Sequence, residues 1–224
     1  MAVQLQGSGG TIAEVDGTTF RSQRVTMRPI DHGSLGHYSY GGFTGILPAA
    51  LAANSEIFQF RWTDATRICV INGVKISAAV STTFFAAGVP VQIDLIKSTG
   101  WSAAGTGGTA ISPAALLKKR TSMGSSLIAS GDIRIATTAA LGAGTKTLET
   151  YAMASLAAAG PITASLNGQI IAPGTLLYEA DVEHGEHPLT LVQNEGFSIR
   201  SVAVPATGTW TAAITVDWTE VAAY

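Results

Sequence analysis

Residues 210–221, WTAAITVDWTEV, decide the fold. Trp210, Ala212, Ile214, Val216 and Trp218 fall on one side of an extended chain, and Thr211, Thr215, Asp217 and Thr219 on the other, so the segment has the two-residue period of a half-buried strand. Immediately upstream, Pro205-Ala206-Thr207-Gly208 is a turn signal, and residues 197–204, FSIRSVAV, form a second strand pattern. The two are expected to be a hairpin or sheet neighbours.

The same alternation recurs along the chain. Residues 57–63, IFQFRWT, set Phe58, Phe60 and Trp62 against Gln59 and Arg61, and residues 89–97, VPVQIDLIK, set Val91, Ile93 and Leu95 against Gln92 and Asp94. Further strands are expected over residues 19–30, 37–47, 67–80, 126–136, 162–171 and 189–193. Within the third of these, Asn72-Gly73 suits either a tight hairpin or a bulge in a longer strand. Helix signals are sparse. Ser112-Pro113 followed by AALLKKR has a capping serine, a proline at the first helical position and a basic last turn, and residues 48–53, PAALAA, suit another single turn. Residues 98–109, STGWSAAGTGGT, and 139–147, AALGAGTKT, read as loops.

Many short strands without helices long enough for parallel crossovers predict an all-β chain, an antiparallel β-sandwich of jelly-roll type with one or two short helical turns. No composition break or linker divides it, so residues 21–224 are expected to form one domain preceded by an extended arm over residues 1–20.

Composition narrows the function. Charged residues make up 12% of the 224, about half the usual share, and the net charge is −2. Neither suits phosphate-rich partners, and Lys118-Lys119-Arg120 is the one basic run, so no nucleic-acid partner is expected. No apolar stretch approaches the ~18 residues of a membrane span, and the N-terminal segment lacks a signal-peptide pattern. Expression in a reducing cytoplasm, with no membrane partner, follows as the expectation. Low charge with positive mean hydropathy also suits a chain much of whose surface contacts neighbouring subunits.

Candidate chemistry is thin. In residues 183–188, EHGEHP, His184 and His187 stand three apart, a spacing that binds zinc when both rings point inward. Gly185 and Pro188 exclude a helical zinc motif, and an exposed polar turn is the competing reading. The same alternatives hold for His32 and His37. Cys69, within the apolar run 68–71, reads as a buried small hydrophobe and not as a nucleophile. Carboxylate pairs Asp181/Glu183 and Asp217/Glu220 read as solvated, and strand parity separates the second pair between faces. Trp101, in a Gly-rich loop, is either a stacking platform for a sugar or an anchor packed back onto the sheet. No phosphate loop or nucleophile elbow is present, so no catalytic residue, metal or other cofactor is expected.

The run 51–63, LAANSEIFQFRWT, with 68–71, ICVI, then 141–145, LGAGT, and finally 185–189, GEHPL, with 194–200, NEGFSIR, resembles small virion proteins of tailed bacteriophages. The likeness extends over most of the chain from about residue 15 and lies in structural segments. It implies a non-enzymatic β-sandwich subunit of the particle, a cement or decoration protein on the outside of the capsid, made in the bacterial host and located in the virion. The partners implied are the major capsid protein and further copies of itself, with a homotrimer expected. The alternative is a tail or fibre component with a carbohydrate-binding sandwich, for which Trp101 and exposed Tyr38 and Tyr40 would be the stacking residues.

Overall fold

The computed structural model describes residues 15–16, 22–23, 36–86, 90–159, 168–181 and 185–222. The chain divides into two units, Met1–Asp31 and His32–Tyr224. In the first, β1 (Val15–Asp16) pairs antiparallel with β2 (Ser22–Gln23). Most of the expected arm, and most of the strand expected over residues 19–30, lie outside the described residues.

The second unit is an all-β sandwich. Its strands are β3 (Gly36–Phe43), β4 (Leu47–Pro48), β5 (Ser55–Trp62), β6 (Ile68–Val80), β7 (Pro90–Ala103), β8 (Thr109–Ala110), β9 (Leu117–Lys118), β10 (Ile133–Ile135), β11 (Thr145–Leu148), β12 (Ala154–Ala159), β13 (Gln169–Glu179), β14 (Leu189–Leu191), β15 (Glu195–Ala203) and β16 (Thr209–Val221). One sheet runs β13-β6-β16-β3-β9, with β14 beside β6 and β4 beside β16. The other runs β11-β7-β15-β5-β10-β8, with β12 also on β7.

The pairings amount to one long antiparallel ribbon. From its open end inward the ribbon joins β3 to β16, β5 to β15, β6 to β13 and β7 to β12. Successive pairs alternate between sheets, and lateral contacts of β6 with β16 and of β7 with β15 complete each sheet. A ribbon wrapped in this way is a jelly roll. Its topology corrects one expectation. β15 and β16 are not neighbours: the turn at residues 204–208 carries the chain across the sandwich from one sheet to the other.

β16 lies between β6 and β3 and carries the predicted inner face, with Trp210, Ala212, Ile214, Val216 and Trp218 all fully buried. Across the sandwich they meet Phe58, Phe60 and Trp62 of β5 and Phe197 and Ile199 of β15. Phe60 stacks on Phe197 with centroids 5.2 Å apart and meets Trp218 edge-on at 5.4 Å. Cys69 is buried in this core, as expected, and burial together with the nearby Glu220 carboxylate pushes its thiol well up. Asn72-Gly73 is a bulge and not a hairpin, because Asp217 faces Gly73 while Trp218 faces Ile71, leaving Asn72 as the extra residue.

Several boundaries differ from expectation. β7 continues through the Gly-rich stretch to Ala103, where β11 pairs with it, so both predicted loops contain strand. In place of a strand over residues 126–136, only Ile133–Ile135 pairs. The first predicted helix is one 3-10 turn at Pro113–Ala115, capped by the Ser112 side chain, and Leu117–Lys118 then joins β3 as strand. Pro48 is likewise in a strand, so no helix forms at residues 48–53.

Candidate functional site

At the centre of the outward face of the β13-β6-β16-β3 sheet, most side chains are small. On β16 it presents Thr211, Ala213 and Thr215. In register beside them lie Ala79, Ser77 and Lys75 of β6, and Phe43 and Gly41 of β3. Phe43 is 76% exposed, the largest apolar group on this face. It overhangs a shallow groove floored by Ser77, Ala79 and Ala213 and walled by Ile171 and Pro173. Charge enters at Lys75 of β6, at Glu179 of β13 and at Asp217, which Lys119 holds in a 2.7 Å ion pair. A face this flat and weakly hydrated loses little when covered.

The opposite sheet is built differently. Its outward face is polar and is covered by residues of the long β7–β12 connection. Regular alternation would put Glu56 and Gln59 on opposite faces, yet both point outward. The reason is a bulge at Ile57: Phe58 faces Ile199 while Glu56 faces Arg200. Glu56 Oε2 accepts bonds from Gln59 Nε2 at 2.6 Å, Lys146 Nζ at 2.7 Å and Ser198 Oγ at 2.8 Å. Lys146 Nζ also lies 4.0 Å from the centroid of the Trp101 ring, whose Nε1 donates to Ser98 Oγ. Burial lowers the Lys146 pKa against the opposing pull of Glu56.

A second buried carboxylate corrects an expectation. Glu220 is not solvated. It shares the core-facing side of β16 with Trp218 and accepts bonds from Ser126 Oγ at 2.5 Å, the Leu127 amide and Trp218 Nε1. Burial, helped by the charge of Asp64, raises its pKa, and those three bonds lower it by less. The folded carboxyl therefore keeps its proton to higher pH than the unfolded one, whose ordinary value is 4.5. Its contribution to stability is complete below that value and declines as pH rises through the folded value. Glu220→Gln, uncharged throughout, is expected to remove this decline, so that its stability relative to wild type improves from about pH 4 to about pH 8. Urea midpoints measured across that range check it; parallel curves would contradict it.

The motif at residues 183–188 lies in sequence between β13 and β14. β13 and β14 both run along β6, β13 ending opposite Gly73 and β14 starting opposite Ile71. The described residues on either side are tied together by the Glu186 amide donating to the Asp181 carbonyl, the Asp181 amide donating to the Glu186 carboxylate, and Leu189 N donating to Tyr178 Oη. Glu183 and His184 lie outside the described residues, and so does the geometry of the His184/His187 pair. Among the described residues no three His, Cys, Asp or Glu side chains converge as metal ligands. His32 is likewise outside them. His37 is not in a turn but on β3, with Nε2 3.4 Å from Asn72 Nδ2.

The stacking residues of the fibre alternative are not surface groups. Trp101 is 1% exposed, Tyr38 1% and Tyr40 7%. Tyr38 packs on Trp218 and Tyr40 on Phe58, inside the sandwich. Trp101 is thus an anchor, on strand and not in a loop. Sequence reasoning missed Phe43 because it occupies a solvent-facing strand position where an aromatic residue carries no local signature. No protein-family model, curated protein or solved structure matches the chain.

Proposed function

We propose that this chain is a non-enzymatic structural subunit of a phage particle, a cement or decoration protein that binds the outside of the capsid through the Phe43 face and stabilises the shell. The observation that carries the reading is that face, small-residued at its centre with its few charges at Lys75, Glu179 and the Lys119–Asp217 pair, and with one aromatic side chain projecting from it. Sequence resemblance supplies the particle, and the jelly roll supplies a rigid subunit able to repeat a modest contact many times. Weak sites that recur by symmetry gain strength through multivalency and self-association, and a homotrimer is the state assigned to the subunit.

The direct experiment mixes the purified chain with capsid shells that lack it. Expected are a trimer by light scattering, saturable co-sedimentation with the shells, and a higher temperature of shell disruption. A chain that stays monomeric and remains in the supernatant would remove the proposal.

A further inference from the structure

We propose that Lys146 and Gln59 become joined by an internal isopeptide bond, with Glu56 as the proton shuttle. The warrant is the arrangement over the β5-β15-β7 sheet. One oxygen, Glu56 Oε2, is bonded at once by the lysine amine at 2.7 Å and the glutamine carboxamide nitrogen at 2.6 Å, which brings nucleophile and electrophile together on a single acid–base group. The Lys146 side chain is 2% exposed and that of Glu56 6%, while Gln59 as a residue is 1% exposed. Gln59 Oε1 is buried with no hydrogen-bond partner among the described residues, so the carboxamide is held by its nitrogen alone. The backbone closes over it: a Cβ at Gly105 would overlap Gln59 Oε1. Trp101 covers the amine.

A buried ammonium–carboxylate pair is costly to hold charged, and passing one proton from Lys146 to Glu56 leaves a neutral amine and a neutral acid. The lowered pKa of Lys146 agrees with that transfer. The amine nitrogen then attacks Gln59 Cδ and the N–C bond forms. Glu56 gives its proton to the departing nitrogen and takes one from the attacking nitrogen. The Cδ–Nε2 bond breaks, ammonia leaves, and it finally removes the proton left on Glu56. No oxidant, metal or second molecule enters, and the carboxylate is regenerated. The product ties β11 to β5 covalently, across the segment that covers this sheet.

Intact mass of the denatured wild-type protein is the test. The expected result is a deficit of one ammonia against the sequence, with a proteolytic map containing a branched peptide that joins the Gln59 and Lys146 segments. Gln59→Met, which keeps the volume and removes the electrophile, and Lys146→Arg should each restore the full mass. A wild-type mass equal to that of the sequence after prolonged incubation, or an ammonia loss mapped to other residues, would overturn the assignment. The test does not depend on capsid binding, so its failure and that of the proposed function are separate results.

Discussion

Trp218→Ala is expected to cost about 3–5 kcal/mol, the range for removing a fully buried large aromatic side chain, and so a large part of the roughly 5–15 kcal/mol that holds a domain folded. Three contacts make this position severe. Trp218 meets Phe60 edge-on at 5.4 Å across the sandwich, stacks with Tyr38 at 6.0 Å on the neighbouring strand, and donates Nε1 to the buried carboxylate of Glu220. Truncation opens a cavity between the sheets, strips an aromatic pair from each and leaves Glu220 one donor short. For a chain of this length the loss corresponds to a fall in Tm of about 6–20 °C. Trp218→Phe keeps a ring but not the donor, and should cost about 1–3 kcal/mol. Thr215→Ala, three residues away on the outward face of the same strand, should stay within about 0.5 kcal/mol. Urea unfolding of the three variants orders them, and equal midpoints for Trp218→Ala and Thr215→Ala would contradict the inner-face assignment.

That ordering can be predicted without coordinates, because β16 obeys strict alternation from Trp210 to Trp218 and the period alone separates core from surface. The β5 and β7 cores were legible in the same way. Legibility ended where the backbone departs from a regular pleat. The bulge at Ile57 moves Glu56 from the face its parity assigns to the face of Gln59, and no local residue type announces it. Glu220 shows a different limit. Parity places it opposite Asp217 correctly, but the side it shares with Trp218 is the core, and beside the Trp218 indole it takes Ser126 and Leu127, from a distant loop, to make a carboxylate tolerable there. Strand β7 was cut short because Ser, Thr and Gly after Lys97 look like a loop, while partners on β11 supply the pairing. The crossing at residues 204–208 was hidden for a related reason: a turn signal reports a change of direction, not which sheet receives the chain.

Phe43→Asp is expected to abolish shell association while leaving the subunit folded. Phe43 is 76% exposed in the isolated subunit, so replacing it removes little buried area and should shift unfolding by no more than about 0.5 kcal/mol. Bound to a shell, the ring is the largest apolar anchor at the centre of a face made there of Ala213, Ser77, Thr215 and Gly41, with Leu176 of β13 and Leu117 of β9 exposed nearer the sheet edges. Loss of a central aromatic anchor typically costs about 2 kcal/mol or more per site, roughly thirty-fold in affinity, and the new carboxylate adds the cost of desolvating a charge. Repetition over the copies of an oligomer multiplies that deficit, since each contact of the assembly weakens together. Salt provides the discriminating control. Because charge on this face is limited to Lys75, Glu179 and the Lys119–Asp217 pair, with both signs present, wild-type co-sedimentation should change little between low and moderate ionic strength. Strong salt dependence together with undiminished binding of Phe43→Asp would place the docking surface elsewhere on the sandwich.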